Sequence, residues 1–103
     1  MVVILKTCQR EIAELPEEIR GDLADALARL DAGHSLSMPL SRPMPRVGKG
    51  VHELRLRDRS GEYRVIYRAG KSGAVHVIHA FKKQTQATPR RNVELVRKRI
   101  KGD

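Results

Sequence analysis

The stretch VHELRLRDRSGEYRVIYRAGKSGAVHVIHAFK, residues 51–82, decides the fold. From Val51 to Asp58 it alternates: His52, Leu54 and Leu56 point one way, and Glu53, Arg55 and Arg57 the other. That is the period of a strand with one buried face. Arg59-Ser60-Gly61 is a turn signal. Glu62 to Arg68 then alternates again, with Tyr63, Val65 and Tyr67 against Arg64, Ile66 and Arg68. Gly70 to Gly73 closes a second hairpin, and Ala74 to Phe81 is a third strand, the most apolar of the three. Connections this short make the neighbours antiparallel. One sheet face is then expected to carry Arg55, Arg57, Arg64 and Arg68. Guanidinium groups facing one another on neighbouring strands repel unless an anion lies between them.

Upstream, Met1 to Thr7 reads as a short strand and Cys8 to Leu15 as a turn or two of helix. Pro16 fits the first turn of a second helix, and Glu17 and Glu18 suit its positive N-terminus. Ile19, Leu23, Leu27 and Leu30 recur at helical spacing, and Gly33 is placed to cap the end. Residues 34–50, with Pro39, Pro43 and Pro45, read as a long connector. Downstream, Thr88 is placed to cap a last helix with Pro89 in its first turn, and Val93, Val96 and Ile100 form its apolar stripe. The order is helices, antiparallel meander, helix. This is an α+β domain, with the long helix packed on one face of the antiparallel sheet. At 103 residues the chain is one domain, 1–103.

The chain carries 21 Lys and Arg against 12 Asp and Glu, a net charge of +9. Residues 1–45 hold five basic and seven acidic groups, net −2, so residues 46–103 carry net +11. A field concentrated in this way steers a polyanion onto one face. At 40 % hydrophobic residues the chain is too apolar for a disordered polycation. No apolar run approaches the ~20 residues of a membrane span, and Met1 to Leu5 is too short for a signal-peptide core. A single cysteine, Cys8, excludes an internal disulfide and a cysteine-based zinc site. The expectation is a soluble cytoplasmic protein that meets a large polyanion, without membrane contact.

Several motifs fail. Gly48-Lys49-Gly50 lacks the spacing and the Ser or Thr of a phosphate-binding loop. His76 and His79 lie three apart in a strand, hence on opposite faces, and make no local metal pair. With only Tyr63, Tyr67 and Phe81 as aromatics, a base-stacking sheet is not expected. No metal and no cofactor are expected.

Three blocks in order carry a resemblance: Glu53-Leu54-Arg55-Leu56-Arg57, then Glu62-Tyr63-Arg64-Val65-Ile66-Tyr67, then His79-Ala80-Phe81-Lys82-Lys83 running on to Thr88-Pro89. Over roughly residues 12–101 the chain resembles the RelE/ParE superfamily of toxins from bacterial toxin–antitoxin modules. It is most similar to the phage-derived, HigB-type host-inhibition branch. Gln84 interrupts the common order of the third block, and no tyrosine follows Tyr67, where many RelE-like members carry one that stacks on RNA. The resemblance implies an α+β fold that agrees with this pattern, an N-terminal helical hairpin packed on a twisted antiparallel β-sheet with a C-terminal helix, and ribosome-dependent endonucleolytic cleavage of mRNA. It also implies silencing by a cognate antitoxin, a helix-turn-helix protein in this branch, within a toxin–antitoxin hetero-oligomer.

Such cleavage needs a polarised 2′-hydroxyl, an in-line phosphate and a protonated leaving oxygen, and guanidinium groups suit the charge that grows on the phosphate. By resemblance Arg64 is placed at the scissile phosphate, with Arg57, Lys82 and Lys83 as further catalytic candidates. Lys49, Arg55, Arg59, Arg68, Arg90 and Arg91 are candidates for holding nucleic acid. For the general base, Lys82 or Lys83 beside Arg64 competes with Glu53 and with His79, whose parity with Val75 and Val77 also suits packing. Blander readings stand beside these. Arg57 can pair with Asp58 or Glu62 at the hairpin end, and Arg90 and Arg91 can be a solvated helix face. Two other functions share these features: a ParE-type gyrase inhibitor, and a non-catalytic basic module that grips nucleic acid or ribosome.

Overall fold

The structure is a computed structural model that describes residues 1–70, 72–84 and 88–102. Lys71, in the second hairpin turn, and Thr85, in the third motif block, lie outside the described residues. The elements run β1 (Val2–Ile4), α1 (Lys6–Ala13), α2 (Glu17–Asp31), β2 (Ser41–Pro43), β3 (Val51–Asp58), β4 (Gly61–Ala69), β5 (Val75–Lys82) and α3 (Arg90–Gly102). They form one five-stranded sheet in the order β1-β5-β4-β3-β2, with β4 at its centre.

The β3–β4–β5 meander is antiparallel, as its hairpin signals require. The sheet as a whole is mixed, which corrects the wholly antiparallel expectation. β1 joins the edge parallel to β5, pairing Val2 with Val75 and Ile4 with Val77. A partner more than 70 residues away leaves no mark in the local pattern of Val2-Val3-Ile4. The connector is also more ordered than expected. Ser41–Pro43 adds an antiparallel edge to β3, and the Ser41 hydroxyl meets the Tyr67 hydroxyl at 2.7 Å in the interior.

α1 and α2 cover one sheet face. Cys8, Ile19, Leu23 and Leu30 pack there on Leu54, Tyr63, Val65, Tyr67 and Val77. Ile19, Leu54, Val65 and Val77 are fully excluded from solvent, each contributing about 1.5–3 kcal/mol of transfer free energy. α2 closes as its glycine suggests. Gly33 takes φ +92°, and the amides of Gly33 and His34 donate to the carbonyls of Leu30 and Arg29. α3 lies on the opposite face, where Val96 is buried against Val51, Ile66 and Ile78. That face is therefore half covered rather than wholly basic. Thr88, just ahead of α3, donates its hydroxyl to Glu53 Oε2 at 2.5 Å. Among the described residues no helix is long and apolar enough to cross a membrane.

β5 contains a bulge. Its register against β4 pairs Tyr67 with Val77 but Ile66 with His79, so Ile78 is an extra residue. The bulge inverts the alternation beyond it. Val75 and Val77 face the α1–α2 core, whereas His79 turns to α3 and hydrogen-bonds Asn92. The strict period of two had placed His79 with the valines and on the opposite face from His76. Both histidines in fact lie on the α3 side.

Gly50 joins the connector to β3. Its φ is +76°, and an added Cβ would lie 2.6 Å from the Ala69 carbonyl oxygen. The Ala69 amide donates to the Gly50 carbonyl at 2.9 Å, so neither backbone segment can move away freely. We predict that Gly50→Ala lowers the unfolding free energy by about 1–3 kcal/mol. Urea denaturation checks this, and an unchanged midpoint would show that the approach is relaxed at little cost.

Candidate functional site

β4, the central strand, places Arg64 on the α3 face directly opposite Arg55 of β3. Arg57 and Glu62 form the next inter-strand pair on the same face, and Lys83 follows β5 beside them. Together with Pro39 and Leu56 these side chains line an open hollow of about 440 Å³.

Arg64 is the fixed part of this site. Its side chain is 6 % exposed, and a buried guanidinium is tolerable only beside compensating charge. Glu53 Oε1 lies 3.5 Å from its Nε, and Glu62 Oε2 lies 3.5 Å from its Nη2. Glu53 is itself buried and is held by the Thr88 hydroxyl. Glu62 is more open and gathers three cations. Its Oε1 accepts from Arg57, and its Oε2 faces both Arg64 and the Lys83 ammonium, the latter at 3.3 Å. Hydrogen bonds from Arg57 and then Lys83 hold the Glu62 carboxyl down at about 2. Arg55 Nε is buried with no hydrogen-bond acceptor among the described residues.

The structure thus brings together Arg55, Arg57, Arg64 and Lys83. It does not bring Lys82 to them. Lys82 pairs with Tyr63 and sets its ammonium 5.9 Å from that ring's centre, on the face opposite Arg64. Consecutive residues of extended chain point apart, so only one of the two lysines can reach the hollow. Arg59 is exposed in the β3–β4 turn. Arg68 and Lys49 meet at the other end of the α3 face, where Arg68 Nε donates to the Lys49 carbonyl at 3.0 Å. Arg90 pairs with Glu94 at 3.0 Å on an exposed helix surface; Arg91 is exposed beside it, and neither lines the hollow. Of the two other base candidates, Glu53 orients Arg64, and His79 is buried under α3, bonded to Asn92 and Glu11. A groove of about 620 Å³ beside Glu53 and Thr88 continues the basic surface with Arg42, Arg46 and Arg97.

Sequence reasoning missed a part-buried polar cluster that ties α1, β5 and α3 together. Arg99 donates to both oxygens of Glu11, at 2.8 and 3.0 Å, and to the Ile78 carbonyl at 2.9 Å. His79 meets Glu11 through Nδ1 at 2.9 Å and Asn92 through Nε2 at 2.7 Å. Burial pushes the Glu11 carboxyl up, but the hydrogen bonds from Arg99 and His79 outweigh it and hold it below its ordinary value. Burial, followed by the neighbouring Glu11 charge, pushes the Cys8 thiol up to about 12, so this cysteine stays protonated and inert. No local signal points to Glu11: it is 68 residues from His79 and 88 from Arg99.

With the geometry described, comparison with known proteins decides the family. The family "Phage derived protein Gp49-like (DUF891)" matches residues 10–101. The chain belongs to that family. No curated protein matches it in sequence. Among solved structures, this Gp49-like protein is similar to the isolated Escherichia coli RelE toxin, at 22 % identity and a TM-score of 0.59, covering 97 % of each chain. It is similar to the E. coli RelBE toxin–antitoxin complex at 18 % identity and a TM-score of 0.51, covering 82 % of this chain and 98 % of that one. A substituted E. coli RelE in the free state gives 18 % identity and a TM-score of 0.53, with 98 % and 94 % covered. The fold is therefore RelE-like.

The cluster makes a pH prediction. A carboxyl held below its unfolded value stabilises the fold above that value, and the contribution is lost as pH falls through the depressed one. Arg99→Met should cost about 1–3 kcal/mol at neutral pH. The gap to the natural protein should narrow as pH drops below 4.5, the ordinary value at which Glu11 of the unfolded chain takes up its proton, and close further as the folded carboxyl protonates at lower pH. Urea titrations from pH 7 to pH 3 read this out; a gap independent of pH would mean that Arg99 does not serve the Glu11 charge.

Proposed function

We propose that this protein is the toxin of a toxin–antitoxin module that cuts mRNA on the ribosome, through metal-independent attack of a 2′-hydroxyl on the adjacent phosphate. The observation that carries this reading is the convergence of Arg55, Arg57, Arg64 and Lys83 on one hollow, with Arg64 locked by burial and by Glu53. In the reaction the 2′-hydroxyl gives its proton to solvent water as its oxygen bonds to phosphorus, the P–O5′ bond breaks, and negative charge gathers on the non-bridging oxygens. A guanidinium that does not have to reorganise stabilises that charge best. Arg64 takes this role. Arg57 and Lys83 approach from the same side, and Lys83 carries protons that the leaving 5′ oxygen can take. Arg55 adds a fourth cation to the lining of the hollow. The groove with Arg42, Arg46 and Arg97 offers the RNA backbone a way past the cut.

The likeness to RelE extends to partners. RelE is known in a toxin–antitoxin complex, and on this reading a co-expressed helix-turn-helix antitoxin silences the present protein in a hetero-oligomer. The ribosome and mRNA are its cytoplasmic targets.

Induced expression should stop growth, and primer extension should map new mRNA ends within translated codons. Arg64→Ala should lower cutting at least ~100-fold while circular dichroism shows a folded protein. Full activity in that variant removes Arg64 from the chemistry. Arrested growth with every transcript intact favours a gyrase-inhibiting toxin instead.

A further inference from the structure

We infer that Glu62 is a positioning residue that occupies the phosphate seat of the free protein and gives it up to the incoming phosphodiester. The inference rests on the phosphodiester-cleaving reading of the hollow. Three cations from separate places in the chain close on one carboxylate: Arg57 at the end of β3, Arg64 on β4 and Lys83 beyond β5. Two oxygens on one centre, met by guanidinium and ammonium donors, form the arrangement that a phosphate's non-bridging oxygens make with the same groups.

Burial separates the roles of the two acids around Arg64. The Glu53 side chain is 4 % exposed and tied to Thr88, whereas Glu62 is 31 % exposed. When Glu62 swings out, Arg64 keeps Glu53 as its counter-ion and stays in place. Glu53 is the permanent partner and Glu62 the exchangeable one. The β4 backbone need not follow, because the Lys83 amide holds the Glu62 carbonyl at 2.8 Å. The carboxyl, held at about 2, is not displaced by protons near neutrality, so the exchange is of anion for anion. Glu62 keeps the cations converged until RNA arrives, and RNA must compete with it.

The test uses the full chain, Glu62→Gln, and an oligoribonucleotide with 2′-O-methyl sugars that cannot be cut. Fluorescence anisotropy gives Kd, and translating ribosomes give KM and kcat. Removing the rival charge should tighten oligonucleotide binding and lower KM by about tenfold. The kcat should fall by a smaller factor as the cations lose their organiser. Binding that is unchanged or weaker in folded Glu62→Gln overturns the inference. So does a kcat collapse of about 100-fold or more at unchanged Kd, which would give Glu62 a proton-transfer role. The two readings fail separately. If the natural protein cuts nothing yet Glu62→Gln binds tighter, the seat stands and the nuclease falls. If transcripts are cut and Glu62→Gln binds no tighter, the nuclease stands and the seat falls.

Discussion

A guanidinium buried in the middle of a sheet must be balanced, and the rest of the site follows from how Arg64 is balanced. Leaving such a group unpaired would cost several kcal/mol. Glu53 supplies the nearest fixed charge from the neighbouring strand, and Glu53 in turn depends on Thr88 just ahead of α3. The polar chain Arg64–Glu53–Thr88 therefore couples the hollow to the seating of the last helix. The second acid, Glu62, completes the balance from the solvent side. Arg64 is on the central strand, which is hydrogen-bonded to β3 along one edge and to β5 along the other, and this gives the site a rigid floor.

The two faces of the sheet divide the work. The α1–α2 face is apolar and holds the larger of the two core clusters. The α3 face is shared. Val96 and Ile100 cover an apolar strip over Val51, Ile66 and Ile78, while the strand ends beyond that strip stay open and cationic. The Arg99–Glu11–His79–Asn92 cluster fastens α3 across the strip to α1. Polar contacts so specific in geometry hold the helix in one register where the apolar strip alone is narrow.

Much of this was legible in the residues. Period-two alternation in 51–68 set β3 and β4 and placed Arg55 and Arg64 on one face, and helical spacing set α2 and α3. The pairing of Arg57 with Glu62 was among the readings that the hairpin allowed. The features that escaped share one physical reason: each depends on chain segments distant in sequence or on an irregularity. The parallel pairing of β1 is non-local. The extra residue Ile78 reversed the facing of His79. Glu11 reaches its partners only after α1 docks. Lys82 is different, since strict alternation already separates it from Lys83; there the family motif, which groups both lysines, masked a simple geometric rule.

The central claim is that the cations around Arg64 are built to hold a phosphodiester. The most direct measurement follows the side-chain NMR signals of the Arg64 guanidinium and the Glu62 carboxylate carbon while a 2′-O-methyl oligoribonucleotide is titrated in. The account predicts that both signals shift together and saturate at one equivalent, with the Arg68 guanidinium unmoved. Saturable binding that shifts Arg68 and leaves Arg64 and Glu62 unchanged would contradict it.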